Sequence, residues 1–189
     1  MSYTALQLDA LAEMGNIGSG NAATTLSIML NSAVDMEVSE ITLCPVKDCL
    51  KSMGVDKDDI FSVIHEIHGD LNGLFWLGIK RDGQVEICTL VGGEKFAHDP
   101  SIVFEVSNIL GGNYIRALAD MLGLAIELEP PNAIAIDDYL HDSKDHGIDV
   151  NGIIFIKNKL IIMGKTIDCF ISFVLTKESQ QALLTRLGV

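Results

Sequence analysis

Positive charge is scarce in this sequence. Thirteen Lys and Arg stand against 26 Asp and Glu among 189 residues, a formal net charge of −13 at pH 7. A protein that tracks nucleic-acid phosphates needs clustered basic side chains, as does one held to an anionic membrane surface. Both classes of partner are therefore excluded. Proline is rare as well, at four residues, and with 48% hydrophobic residues the chain is neither collagen-like nor disordered. The four cysteines, Cys44, Cys49, Cys88 and Cys169, lack zinc-finger spacing and are too few for a disulfide framework. They read as reduced thiols of a cytoplasmic protein. The opening residues carry no basic segment followed by an apolar one, so no export signal is expected. The most apolar stretch, 153–175, is interrupted by Lys157, Lys159, Lys165 and Asp168 and reads as strands rather than a membrane helix.

What is present is a repeat. At an offset of 92 residues, Glu13, Asn16, Ile17, Gly20 and Asn21 recur as Glu105, Asn108, Ile109, Gly112 and Asn113, and Leu26, Met29 and Leu30 as Leu118, Met121 and Leu122. Apolar coincidences between helices are common by chance, whereas register-matched Glu, Asn, Gly and Asn are not. The expected organisation is a single domain, 1–189, made of two structural repeats at about 1–92 and 93–189, with no Pro/Gly/Ser-rich linker between them.

Each half opens with a long helical pattern. Leu8, Leu11, Gly15, Ala22, Leu26 and Met29 fall on one stripe in the first, and Val103, Leu110, Tyr114, Leu118 and Met121 in the second. At 100° per residue, Asp9, Glu13, Asn16 and Gly20 occupy an arc of ~60° away from that stripe. Ser101, Glu105, Asn108 and Gly112 repeat it. Strands are expected at Val34–Leu43, Ile60–His68 and Leu74–Lys80, and after the second helix at Leu124–Ile136, Ile153–Met163 and Ile167–Leu175. Turns are expected at Asp70–Gly73, Asn158-Lys159 and Gly164-Lys165, with shorter helices at Gln84–Val91 and Glu178–Leu187. The fold class is α/β, more strictly α+β. Each half supplies a long helix and about three mostly antiparallel strands, the helices packed on the sheet.

Several motifs fail on their context. Gly18-Ser-Gly20-Asn-Ala-Ala23 fits the dinucleotide fingerprint, but the residues before it are helical and no strand feeds the turn. His65-Glu-Ile-His68 lies on an expected strand, where residues three apart point to opposite faces, so the imidazoles do not converge on a metal and read as exposed polar residues. The acidic stretch Asp137–His146 reads as a solvated loop. There is no G-x-S-x-G, and neither Cys44 nor Cys88 has an evident base.

Glu and Asn one helical turn apart make a poor independent enzyme, because the amide neither titrates nor attacks. The amide does orient a water through donor and acceptor together, while the carboxylate grips a cation. The glycines that follow mid-helix each cost about 1 kcal/mol relative to Ala, and leave room for close approach to the backbone or for a tight helix crossing.

These residues resemble the CheC/CheX/FliY family of chemotaxis phosphatases, whose signature is [Asp/Ser]-x3-Glu-x2-Asn-x21-Pro. The second copy matches it with Ser101, Glu105, Asn108 and Pro130; the first matches with Asp9, Glu13 and Asn16 but has Val38 at the proline position. Two motif copies without an appended domain are more similar to the CheC type than to the others. The resemblance implies a pseudo-twofold fold and a hydrolase of two-component signalling that dephosphorylates the phosphoaspartate of a CheY-type response regulator. Carried over, Asn16 and Asn108 would position the attacking water, and Glu13 and Glu105 would bind the regulator's active-site lysine. The chain would hold no cofactor or metal of its own, the Mg2+ belonging to the partner. CheD, a receptor-modifying deamidase, is a further partner implied by resemblance alone. The acidic charge gives no steering toward an acidic regulator, so recognition rests on local fit. The alternatives are a non-catalytic adaptor binding CheD or a response regulator, toward which Val38 leans, and a flagellar-switch subunit similar to the middle domain of FliM, which would have no reason to keep both Glu/Asn pairs.

Overall fold

The computed structural model describes residues 4–52, 54, 57–132, 148 and 152–187. Thr4 caps the first helix, accepting from the Gln7 N–H while the Gln7 side chain accepts from the Thr4 N–H. This reciprocal box starts α1 (Ala5–Leu30), which ends at Asn31 in the left-handed conformation. The chain continues through β1 (Val34–Cys44), a short α2 (Val46–Ser52), β2 (Ile60–Gly69), β3 (Gly73–Lys80) and α3 (Arg81–Gly92). Asp99 caps the second long helix with Pro100 behind it, giving α4 (Pro100–Leu122). Then come β4 (Ile126–Leu128), β5 (Ile153–Ile162), β6 (Lys165–Leu175) and α5 (Lys177–Arg186).

The six strands form one sheet in the order β1-β5-β6-β3-β2-β4, every neighbouring pair antiparallel. The order is unchanged when β1 and β4, β5 and β2, and β6 and β3 are exchanged. Strands from the two sequence halves interleave, since β1 pairs with β5 and β3 with β6.

Alternation along the central strands sends side chains to both faces, and both are buried. Phe75, Leu77, Ile171 and Phe173 join Leu11, Met14, Leu26, Val103, Leu110 and Tyr114 in the main core beneath the helices. Leu74, Trp76, Phe155 and Phe170 form a smaller core on the other face with Val46 of α2. The long helices cross where Gly18 lies against Tyr114. A Cβ there would sit 2.9 Å from the Tyr114 ring and 3.2 Å from its Cα. The crossing is sealed by a buried polar network in which Ser19 and the Tyr114 hydroxyl bond each other and Tyr114 donates to Asn158 Oδ1 (3.0 Å).

The structure departs from the expected elements at several places, among them the unexpected short helix α2. Asn158 and Lys159 are not a turn but the middle of β5, where Asn158 is fully buried. Asn reads as a turn residue, yet here its carboxamide is satisfied by Tyr114 and the Ile156 carbonyl. The expected strand 124–136 shrinks to β4 and an isolated bridge at Asn132, the residues 133–136 lying outside those described. Met29 and Met121, placed on the core stripe by spacing, are exposed, and it is the next residue in each helix, Leu30 and Leu122, that packs against the core.

Gly18→Ala is expected to destabilise the protein by about 1–3 kcal/mol in chemical denaturation, because overpacking against a ring and a backbone atom outweighs Ala's better helix propensity. A rise in stability would contradict the tight crossing.

Candidate functional site

With Gly15 and Gly18 turned inward, the helical period fixes what faces solvent. A Cβ at Gly15 would meet Ile41 at 3.1 Å and Val38 at 3.8 Å, so this side of α1 lies on β1. Glu13 and Asn16 are exposed, as is Asp9 one turn earlier. On α4, Gly111 backs onto Leu128 of β4 and the Phe75 ring, and Glu105, Asn108 and Ser101 are exposed. None of Glu13, Asn16, Glu105 or Asn108 has a side-chain hydrogen bond or ion pair to another described residue. All four are available to an incoming partner.

Gly20 and Gly112 lie one turn beyond the two asparagines, on the same arc. Unlike Gly15, Gly18 and Gly111, they touch nothing: a Cβ at either would find no atom within 4 Å. Internal packing thus explains three of these glycines and leaves the two register-matched ones unexplained. They present bare helix backbone flush with the Glu/Asn pair. Beside Asn16, Ile17 is 40% exposed and adds an apolar contact point.

The two copies are backed differently. Val38 sits in β1, half-buried and opposite Asn158, with a bulge between Val38 and Glu40. Pro130 is exposed and lies just past β4 on a segment zipped to β2, where Glu129 N–H donates to the Glu66 carbonyl (2.9 Å) and Asn132 exchanges backbone bonds with Ile64 (2.8 and 2.9 Å).

Between that segment and α4 stands His65. It is fully buried, a correction to its reading as an exposed strand residue, whereas His68 is exposed as expected. Two-residue alternation with Val63 and Ile67 was the available signal. Its Nδ1 lies 2.9 Å from the Glu129 carbonyl and its Nε2 2.9 Å from Ser107 Oγ. A carbonyl only accepts, so Nδ1 carries the proton and donates, and the neutral ring accepts from the serine hydroxyl. Burial pushes the imidazole below its ordinary value, the bond to the Glu129 carbonyl partly opposing this.

Gly18 and Gly20 lie mid-helix with no strand before them, which is the wrong geometry for a pyrophosphate cradle. No group of three or more metal-ligating side chains occurs among the described residues, and 137–146 falls outside them. Cys88 and Cys169 are buried free thiols and Cys44 is half-buried. No helix among the described residues is long and apolar enough to cross a membrane.

The CheC-like family model matches residues 6–38 and 100–134, which are α1 with the start of β1, and α4 through β4 to just beyond Pro130. Over those two stretches the chain is similar to the CheC-like family. The CheY-P phosphatase CheC of Bacillus subtilis is 31% identical over 129 residues, 64% of this chain and 62% of that protein, so the match spans less than two thirds of the relative. Among solved structures, Thermotoga maritima FliY superposes with a TM-score of 0.72 at 22% identity, over 99% of this chain and 100% of that one. The FliM middle domain of H. pylori superposes with a TM-score of 0.68 at 12% identity, over 97% and 99%. These two likenesses show the fold alone.

Two outcomes are expected. Gly20→Ala and Gly112→Ala should each stabilise the isolated protein by up to about 1 kcal/mol in denaturation, since Ala gains helix propensity and meets no obstacle; a loss would mean the open surface is misplaced. Stability should fall as pH drops from about 6.5 toward the lower folded value of His65, because the unfolded imidazole takes up its proton first. Thermal melts of His65→Gln should show a flatter slope in that window, and an unchanged slope would contradict a neutral buried ring.

Proposed function

We propose that this chain hydrolyses the phosphoaspartate of a CheY-type response regulator, each long helix inserting its Glu and Asn into the regulator's own reaction centre. The reading rests on one observation. The same Glu-x2-Asn pair stands on two exposed helix faces in register, each followed one turn later by a glycine that no described residue requires. The name of the Bacillus subtilis relative supports the substrate class. We further propose that the chain is a single domain of two structural repeats, which the exchangeable strand order supports.

In this mechanism Asn16 or Asn108 holds the attacking water through its amide oxygen and N–H, in line with the phosphorus–oxygen bond that breaks. Phosphoryl transfer needs little covalent help, so placing a water is most of what an added residue supplies. Glu13 or Glu105 pairs with the regulator's active-site lysine and sets the docking register. The phosphoaspartate and its Mg2+ belong to the regulator, so the chemistry asks this chain for no metal ligands. Gly20 and Gly112 let the partner's surface reach the helix backbone beside the pair. Asp9, Ser101 and Pro130 support the motif without touching the reacting atoms.

A second reading has support of its own. The likeness to the FliM middle domain and the loss of proline at Val38 are both compatible with an adaptor that binds CheD or a response regulator without turnover. Saturable binding that leaves the lifetime of the phosphorylated regulator unchanged would identify it.

Asn16→Ala combined with Asn108→Ala is expected to slow dephosphorylation by about 10²–10³-fold, the usual effect of removing one preorganised positioning group. Decay of phosphorylated regulator measures this, and undiminished decay with the double variant rejects the mechanism.

A further inference from the structure

The two Glu/Asn pairs look alike in sequence, yet the polar groups behind them differ. We propose that His65 is a positioning residue for the second pair only, holding the turn of α4 that carries Glu105 and Asn108 against the segment that carries Pro130. The inference rests on the phosphatase reading and adds the means by which one of its sites is held.

The geometry is specific. Ser107, fully buried, precedes Asn108, and Glu129 precedes Pro130. His65 bonds both at once, at 2.9 Å to each. Both bonds come from one rigid ring, which itself packs edge-on against Phe75 with centroids 5.7 Å apart. Successive residues of a helix point 100° apart, so fixing Ser107 about the helix axis fixes the direction in which Asn108 projects. No other side chain joins α4 to the Pro130 segment by hydrogen bonds at both ends among the described residues.

The corresponding place behind the first pair is filled differently. Asn158, opposite Val38 in β1, is the buried polar residue there. Its carboxamide accepts from Tyr114 on the other long helix at 3.0 Å and donates to its own strand at Ile156. Its approach to α1 is the 3.5 Å contact with Ser19, three residues beyond Asn16, and Gly15 stands where α4 has Ser107. Among the described residues the first pair therefore has no counterpart of the His65 clamp, and removing His65 acts on one site and spares the other.

The test silences each site in turn. His65→Leu and His65→Gln are placed in an Asn16→Ala background, where only the second pair works, and in an Asn108→Ala background, where only the first does. Decay of the phosphorylated regulator is followed in both. With Leu, kcat is expected to fall about tenfold in the first background, with KM little changed, and to stay within twofold in the second. Gln, whose amide can still donate to a carbonyl and accept from a hydroxyl, restores part of the loss. Equal losses in both backgrounds, or none in the first, overturn the proposal.

A readout free of turnover separates this from failure of the phosphatase reading. Amide hydrogen exchange in His65→Gln and His65→Leu should quicken at residues 105–112 and at Glu129 and Asn132, while residues 13–20 keep their protection. Unchanged exchange, or uniform acceleration, rejects the clamp even if the protein proves to be no phosphatase. Localised quickening in the variants, with no dephosphorylation by wild type, rejects the phosphatase reading alone.

Discussion

Gly18 against Tyr114 is the contact on which the arrangement turns. Because Gly18 adds no side chain where α1 meets Tyr114 of α4, both helices lie down on the same face of one sheet and show their opposite arcs to solvent. The Ser19–Tyr114–Asn158 network then ties that crossing to β5, satisfying three polar groups that would otherwise be costly to bury. Once the inward arc is fixed by Gly15 and Gly18, a period of 3.6 residues leaves Glu13 and Asn16 no direction but outward. The same holds for Gly111, Glu105 and Asn108. Exposure of the two pairs follows from the packing.

Glycine carries opposite meanings within a single helix. At position 18 it is required by a neighbour inside the molecule, and at position 20 by no described residue. A helix that keeps glycine where alanine would be more stable gives up folding free energy of about 1 kcal/mol at that position. The most direct physical account is a constraint outside the folded chain, applied by whatever docks there. That both copies keep it, beside both Glu/Asn pairs, joins a stability argument to the functional one.

Much of the fold was legible in the sequence because the helices are strongly patterned and repeated, and because the central strands run as continuous apolar stretches buried on both faces. Boundaries of β2, β3 and β6 came within a residue or two. The misreadings fall on buried polar residues. Asn158 carries a turn signal in its side chain, and only its partners Tyr114 and Ile156, distant or on the same strand, turn it into a strand residue. His65 looked like surface because histidine is polar, although Val63 and Ile67 around it already marked the core face. Its partners lie 42 and 64 residues away, and no local pattern contains them. The Glu/Asn pairs are legible because the sequence repeats itself; the difference between their supports lies in contacts between distant residues.

The central claim is that this chain turns over a regulator's phosphoaspartate rather than merely binding it. The most direct measurement is the decay of phosphorylated CheY-type regulator at a tenth of an equivalent of this protein. The account predicts that the whole population decays at an accelerated first-order rate, many regulators cleared per chain. Decay left unchanged, or altered only for the fraction of regulator that the protein can bind, would contradict it.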